Sequence, residues 1–269
     1  MNRIEHTFRE LGKKGRKAFI PYVTFGDPDI KTSKKIVRAL SEAGADIIEL
    51  GIPFSDPLAD GPTIQRAIHR SLDAGCTVRG VFNAVKELRE DVETPFVFMT
   101  YYNILVRYGI RRFVRDAVKN GADGLIVPDL PMEEADELMR ETRGKDFSLV
   151  LLAAPTTPQE RFKNIARVSG GFVYYVSLTG VTGARKVVSD RLVRELSRLK
   201  KLTVKPICVG FGISRPAHAR KIARYSDGVI VGSAIIDVIE KNLSSKKNIA
   251  GKVKNFASSI ARAVHGARS

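Results

Sequence analysis

Residues 45–53 read Ala-Asp-Ile-Ile-Glu-Leu-Gly-Ile-Pro, an apolar run of strand length with one carboxylate, Glu49, in its interior. Such a run predicts a strand that is buried on both faces, as in parallel sheets. Desolvating an ionised group there costs several kcal/mol or shifts its pKa, unless the group has a partner. A Pro/Gly/Asp loop follows at once and carries Asp56 and Asp60. Glu49, near the carboxyl end of its strand, is therefore a candidate for proton-transfer chemistry.

The same strand pattern occurs eight times along the chain, and each run is bounded by Gly, Pro or Asp. The predicted strands are 18–25, 46–52, 95–101, 124–128, 148–153, 172–177, 206–211 and 227–232. Amphipathic segments with helical spacing lie between them, at 33–43, 78–88, 110–120, 133–142, 159–168, 190–200 and 216–225. The interval between the second and third strands is the longest and has room for an additional helix.

Eight alternating strands and helices predict a closed TIM (β/α)8 barrel of the α/β class rather than an open sheet. Because no low-complexity linker interrupts the pattern, we expect residues 1–269 to form a single domain. The segment 4–11 is expected to be an N-terminal helix that caps the bottom of the barrel. The segment 249–264 is expected to be the last outer helix.

Composition excludes several classes of protein. No apolar run approaches the ~18 residues needed to cross a bilayer, and the first residues lack a signal-peptide pattern. The two cysteines, Cys76 and Cys208, are far apart and show no metal spacing. We therefore expect a reduced, cytoplasmic protein with no membrane association. The net charge of +16 is dispersed and has no aromatic-rich basic segment beside it, so a solvated basic surface is favoured over nucleic-acid binding.

Barrels of this kind form their active sites at the carboxyl ends of the strands. Alternation places Ile47, Glu49 and Gly51 on one face of their strand, so Glu49 is expected to point into the barrel near its mouth. The alternative is a buried Glu that is neutralised by a Lys or Arg. Asp60 lies in a loop over the same mouth and is either a second catalytic carboxylate or an Asx-turn or helix cap. For Asp56, turn chemistry is favoured.

Glycine-rich segments follow three late strands, at 178–183, 210–214 and 231–233. Glycine lets backbone N–H groups approach an anion closely, and the helix after the eighth strand adds its positive end. The segments predict a phosphate site, with ordinary tight turns as the alternative. None of the four histidines lies in a predicted strand, and no lysine lies at a strand's carboxyl end. Metal catalysis and Schiff-base chemistry are therefore disfavoured, and no metal site is expected.

Six motifs give the chain a clear resemblance to the α subunit of tryptophan synthase along essentially its whole length. They are Pro-Tyr-Val-Thr-Phe-Gly-Asp-Pro at 21–28, Glu49 to Pro62, Val-Pro-Asp-Leu-Pro at 127–131, Gly-Val-Thr-Gly at 180–183, Gly-Phe-Gly-Ile-Ser at 210–214, and Gly232-Ser233. The resemblance implies a carbon–carbon lyase that reversibly cleaves indole-3-glycerol phosphate into indole and glyceraldehyde 3-phosphate.

The resemblance also implies the roles of individual residues. Glu49 would be the principal acid–base group, and Asp60 would accept the indole N–H and stabilise the ring-protonated intermediate. The indole slot would be lined by Tyr22, Met99, Ile126 and Tyr174. The phosphate would be bound by Gly183, Phe211, Gly212, Gly232 and Ser233.

Two tyrosines bear on the geometry of this slot. The Tyr174 hydroxyl is expected to contact Glu49 or substrate, and alternation turns Tyr175 outward. At position 22 the resemblance leads us to expect Phe. The hydroxyl of Tyr22 therefore needs a partner if it is buried.

For partners and cofactors, the resemblance implies a pyridoxal-phosphate-dependent β subunit in an αββα assembly, to which indole passes, and no cofactor in this chain. Loops 53–60 and 179–189 would be lids. Two rivals stay open: another phosphate-binding TIM barrel of aromatic amino-acid or pentose-phosphate metabolism, and a non-catalytic basic RNA-binding barrel.

Overall fold

The computed structural model describes residues 2–177, 190–210 and 212–267. Within these residues eight parallel strands pair in sequence order, and β8 closes on β1 to form a barrel. The strands are β1 (Ala18–Thr24), β2 (Ile48–Gly51), β3 (Phe96–Met99), β4 (Gly124–Ile126), β5 (Ser148–Ala153), β6 (Val173–Val176), β7 (Ile207–Gly210) and β8 (Gly228–Val231). The predicted (β/α)8 barrel is confirmed. Each predicted strand contains an observed one, and the longer predictions extend into flanking backbone.

The helices form an outer layer around the barrel. In the described part of the chain they are α1 (Arg3–Lys13), α2 (Ile30–Glu42), α3 (Pro62–Asp73), α4 (Val78–Leu88), α5 (Tyr102–Tyr108), α6 (Ile110–Lys119), α7 (Asp136–Thr142), α8 (Gln159–Val168), α9 (Asp190–Leu199), α10 (Pro216–Ala223), α11 (Ser233–Glu240) and α12 (Ile249–His265). The segment predicted at 133–142 is divided into a short 3-10 turn, Met132–Glu134, and α7. The additional helix expected between β2 and β3 is α3, which begins two residues after Asp60.

Alternation along the strands divides the apolar residues into two clusters. Ile48 and Leu50 pack outward against the helices, whereas Ile47 belongs to an inner cluster with Val97, Phe172 and Tyr174. The predicted orientation of β2 is therefore confirmed, and Glu49 faces the interior between Ile47 and Gly51. Tyr175 lies in the outer cluster, as expected.

The N-terminal helix α1 caps the lower end of the barrel, as predicted. Ile4 is fully buried and joins the inner cluster. The Asn2 side chain accepts hydrogen bonds from the backbone N–H groups of Ile4 and Glu5 and donates to Ser148 Oγ at 2.6 Å. The same amide caps the helix and ties it to β5. Because α1 and α12 both pack on this one barrel, we propose that residues 1–269 form a single domain.

A network of ion pairs connects α3 with the loop after β1 and with α11. Asp27 is fully buried and receives a bidentate contact from Arg70, at 2.7 and 2.9 Å. Arg70 also donates to Glu240 at 3.0 Å, and Arg66 contacts Glu240 through two bonds of 2.7 and 2.8 Å. The network therefore fixes the helix that follows Asp60.

We predict that Arg70→Met lowers the free energy of unfolding by about 3 kcal/mol, because it leaves the Asp27 carboxylate buried without its cation. Arg66→Met is the matched control, since it lies on the same helix and contacts the same glutamate. The Arg66 side chain is 52% exposed, whereas that of Arg70 is 21% exposed. The control should therefore cost less than about 1 kcal/mol. Urea unfolding of both variants measures the difference, and equal losses would contradict the proposed importance of Asp27.

Candidate active site

A cavity of about 800 Å³ opens at the carboxyl ends of the strands. Its wall contains eight of the eleven residues predicted from the sequence: Tyr22, Glu49, Asp60, Met99, Tyr174, Gly212, Gly232 and Ser233. Gly183 and Phe211 lie outside the described residues, as does the predicted lid at 179–189. The strands thus bring together residues that are up to 211 positions apart in the sequence.

Ile126 is the exception among the predicted slot residues. It is fully buried in the inner apolar cluster, beside Met99 and Val150, and is not part of the cavity wall. It is the last residue of β4 and pairs in register with Met99 of β3 and Val150 of β5. A direct contact between Ile126 and a bound indole stays a prediction that this geometry does not support.

The Glu49 carboxyl group is completely buried at the base of the cavity. Neither of its oxygens has a hydrogen-bond partner among the described residues. The alternative of a glutamate neutralised by Lys or Arg is therefore not supported in that part of the chain. Burial raises the pKa of Glu49 to about 8, and the charge of Asp60 contributes in the same direction. At neutral pH the resting site consequently holds Glu49 mainly in its protonated form, ready to donate a proton.

Asp60 lies in the loop between β2 and α3 and is partly exposed in the same cavity. Its Oδ2 accepts a hydrogen bond of 2.7 Å from the Tyr101 hydroxyl. The N-cap residue of α3 is Gly61, and no side chain forms a capping hydrogen bond there, so Asp60 is not a helix cap. Burial raises the pKa of Asp60, whereas the Tyr101 hydroxyl acts in the opposite direction. The two carboxyl groups therefore differ in environment, which favours different protonation states.

Asp56 is exposed and is not part of the cavity wall; its carboxylate accepts a hydrogen bond from Ser55 Oγ. Turn chemistry therefore accounts for this residue, as the sequence favoured. Tyr101, in contrast, was not among the predicted site residues. It occupies the end of the predicted third strand, and that position was the one signal in the sequence that pointed to it.

The two tyrosines of the predicted slot are both buried in the cavity wall. The Tyr22 hydroxyl lies 3.2 Å from Thr24 Oγ1, so the expected need for a partner is met. Of the two contacts expected for the Tyr174 hydroxyl, the one with Glu49 is not formed, since the Glu49 oxygens have no hydrogen-bond partner in the described residues. Contact of Tyr174 with substrate stays a prediction.

The opposite side of the cavity is suited to an anion. Gly212 follows β7 with a φ of +72°, a conformation that glycine adopts without strain. Gly232 and Ser233 follow β8, and Ser233 is the first residue of α11. The first backbone N–H groups of a helix have no partner within the helix and point toward the solvent, where they attract negative charge. In the described wall of the cavity there is no lysine that could form a Schiff base.

No group of three or more His, Cys, Asp or Glu side chains in residues 2–177, 190–210 and 212–267 could hold a metal ion. Over the same residues, no helix is both long enough and apolar enough to cross a membrane.

Comparison with known proteins identifies the family. The family model described as tryptophan synthase alpha chain matches residues 8–265. The tryptophan synthase alpha chain of Caldanaerobacter subterraneus subsp. tengcongensis is 46% identical over 260 residues, which cover 97% of this chain and 98% of that one. The alpha chain of Desulfosudis oleivorans is 47% identical over 251 residues, which cover 93% and 94%.

A solved structure agrees with these sequences. The crystal structure of tryptophan synthase subunit alpha from Legionella pneumophila str. Paris is 38% identical, covers 99% of each chain and superposes with a TM-score of 0.92. This chain belongs to the tryptophan synthase alpha chain family. The expected lyase class, cleavage of indole-3-glycerol phosphate, is thereby confirmed at the level of the family.

We predict that the pH dependence of stability will report the buried state of Glu49. Its pKa is about 8 in the folded protein and about 4.3 when unfolded. Its contribution to the free energy of unfolding is therefore fully present below the pKa of the unfolded state and is lost as the pH rises toward 8. Glu49→Gln does not titrate, so its free energy of unfolding should rise relative to the wild type by about 3 kcal/mol between pH 5 and pH 8.

Glu133→Gln is the matched control for this measurement. Arg161 lowers the pKa of Glu133 to about 2, so this exposed carboxylate stays ionised from pH 5 to pH 8. The difference in the free energy of unfolding between Glu133→Gln and the wild type should not change over that range. A constant difference for Glu49→Gln as well would mean that Glu49 is ionised in the folded protein.

Proposed function

We propose that this chain cleaves indole-3-glycerol phosphate with Glu49 as the acid–base group and Asp60 as the electrostatic partner of the indole ring. The observation that carries the proposal is a fully buried glutamic acid without a hydrogen-bond partner in the described residues, placed in a cavity together with a second carboxylate. A group with a pKa near 8 exchanges protons readily at neutral pH.

In the first step, the protonated Glu49 gives its proton to the ring carbon that carries the side chain. The ring becomes a cation with its charge spread toward the indole nitrogen. In the second step, the Glu49 carboxylate takes the proton of the adjacent side-chain hydroxyl. The carbon–carbon bond breaks, its electrons return to the ring, and indole and glyceraldehyde 3-phosphate are formed. Glu49 is again protonated, so the proton balance closes without an outside acid or base.

Asp60 acts on the charge that develops between these two steps. Its carboxylate accepts the indole N–H and faces the ring cation, and a fixed opposite charge in a partly desolvated cavity stabilises such an intermediate. This role requires Asp60 to be ionised while Glu49 is protonated. The Tyr101 hydroxyl favours that division, because it donates to Asp60 and not to Glu49.

Binding of the substrate is divided between the two sides of the cavity. The rings of Tyr22 and Tyr174, together with Met99, supply an apolar wall for the indole. The phosphate is bound by Gly212, Gly232 and Ser233 at the start of α11, with Gly183 and Phe211 as further candidates from the resemblance. Binding energy at the phosphate positions the scissile bond against Glu49.

We further propose that the chain passes indole to a tryptophan synthase β subunit in an αββα assembly. The α chain itself would need no cofactor, and the pyridoxal phosphate would belong to the β subunit. Membership of the family supports a β-subunit partner. The stoichiometry, the cofactor of the partner and a cytoplasmic location stay predictions.

We predict that Glu49→Gln lowers kcat for indole release by about 100-fold or more, since the amide neither donates the proton nor recovers it. Asp60→Asn should lower kcat by about tenfold or more, because it removes the charge that faces the ring cation. Release of indole from indole-3-glycerol phosphate is measured with and without a β subunit. Glu87→Gln, an exposed residue on α4, is the control and should retain full activity. Glu49→Gln retaining more than about a tenth of the wild-type rate would exclude Glu49 as the acid–base group.

For the phosphate site, we predict that Ser233→Ala raises KM by about tenfold through loss of a hydrogen bond to an anion. Ser233→Asp should raise KM much further, because it places a negative charge where the phosphate binds. In both variants kcat at saturation should change little. The exposed Ser197→Asp on α9 introduces the same charge away from the cavity and is the control. An unchanged KM in Ser233→Asp would remove this residue from the phosphate site.

A further inference from the structure

Tyr101 lies behind the cavity wall, between the end of β3 and the start of α5. It is 5% exposed, and its hydroxyl connects two neighbouring residues of the loop before α3. The hydroxyl accepts a hydrogen bond of 3.1 Å from the Ala59 N–H and donates one of 2.7 Å to Asp60 Oδ2. One side chain thus binds the backbone and the carboxylate of the same loop.

The backbone on both sides of Tyr101 is fixed by structure that does not belong to that loop. Immediately before it, Thr100 N–H donates to Ile126 O at 3.1 Å, which continues the pairing of β3 with β4. Immediately after it, Tyr102 N–H donates to Asp129 Oδ1 at 2.9 Å. The ring itself packs against Phe54 of the loop, with 5.2 Å between the ring centroids. The backbone of the tyrosine is therefore held from the barrel side, and its side chain reaches the loop that carries Asp60.

We propose that Tyr101 is a positioning residue for the cleavage: its hydroxyl occupies Oδ2 of Asp60 and leaves Oδ1 to accept the indole N–H. This inference rests on the proposed function and assigns a role to a residue outside the cavity wall. In the described part of the chain, the structure gives Oδ1 of Asp60 no hydrogen-bond donor. The hydroxyl also stabilises the ionised form of Asp60 next to the protonated Glu49.

The electrostatic part of this role follows from the groups around Asp60. Burial raises the pKa of Asp60 and the Tyr101 hydroxyl opposes that rise. The charge of Asp60 in turn raises the pKa of Glu49. The titratable groups that interact with Asp60 or Tyr101 from the surrounding elements are Glu49 on β2, Tyr22 on β1, Tyr174 on β6 and Asp129 after β4. None of these four groups is a cation. The Tyr101 hydroxyl is therefore the neighbour that favours the ionised form of Asp60.

The test is the pH profile of kcat for Tyr101→Phe, which keeps the ring and its packing against Phe54. Without the hydroxyl, the pKa of Asp60 rises and the acidic limb moves to higher pH. The basic limb reports loss of the Glu49 proton while Asp60 is already ionised, so it should change little. The active range therefore narrows from the acidic side. At the optimum kcat should fall about tenfold, whereas KM should change by less than about twofold because the phosphate contacts remain.

Tyr108→Phe is the matched control. Tyr108 is the last residue of α5, and its hydroxyl donates to Asp116 at 2.9 Å outside the cavity. Removal of this second tyrosine–aspartate bond should leave kcat, KM and the pH profile unchanged. A second probe should shift the acidic limb in the opposite direction from Tyr101→Phe. Because 3-fluorotyrosine at position 101 makes the hydroxyl a stronger donor, the acidic limb should move to lower pH. A role in packing alone predicts neither shift.

A double-mutant cycle separates action through Asp60 from other effects. In the Asp60→Asn background, Tyr101→Phe should change kcat by less than about twofold. A full tenfold loss there, or a wild-type pH profile for Tyr101→Phe, would overturn the proposal. Wild-type protein that releases no indole would refute the proposed function itself. Wild-type activity that depends on Glu49 and Asp60 but not on Tyr101 would refute this inference alone.

Discussion

The burial of a carboxyl group without a hydrogen-bond partner in the described residues is the constraint on which the site depends. Glu49 is fully buried on a strand whose two neighbours, Tyr22 on β1 and Val97 on β3, offer no cation. Burial makes ionisation of this carboxyl group costly before any substrate is present, and that cost raises its pKa to about 8. The closed barrel makes this possible, because the outer apolar layer stabilises the fold without help from the centre of the mouth.

The second carboxylate is useful only because its surroundings differ from those of the first. Two identical acids in one cavity would share a proton and titrate as a pair. Here Glu49 is held by a strand and surrounded by apolar groups, whereas Asp60 is carried by a loop and has a hydroxyl donor. Proton donation and cation stabilisation are thereby assigned to different groups. The ion pairs of Arg70 with Asp27 and Glu240 anchor the helix that follows Asp60, so the loop is fixed at both of its ends.

The sequence predicted those features that depend on short-range periodicity. The alternation of side chains along a strand correctly predicted that Glu49 faces inward and Tyr175 outward. The long interval between the second and third strands correctly predicted the additional helix α3. Features that depend on the register between distant strands were missed. The bond from Tyr101 to Asp60 joins residues 41 positions apart, and it requires both the path of the loop and the height at which β3 ends. Ile126 pairs in register with Met99, yet Ile126 packs in the inner apolar cluster while Met99 lines the cavity. The pattern of the sequence does not distinguish these two positions.

Tyr22, where the resemblance led us to expect Phe, shows how neighbouring residues accommodate a buried hydroxyl. A Cβ atom on residue 51 would lie 2.3 Å from the Tyr22 hydroxyl, so the glycine at that position provides the space that the hydroxyl occupies. Thr24, two residues along the same face of β1, provides the hydrogen-bond partner. Burial raises the pKa of Tyr22, which keeps the hydroxyl neutral. Because the polar atom is satisfied by its own strand and lies against the backbone of β2, the ring remains available as an apolar wall. A tyrosine at this position is therefore compatible with binding of an indole, and it adds no charge beside Glu49.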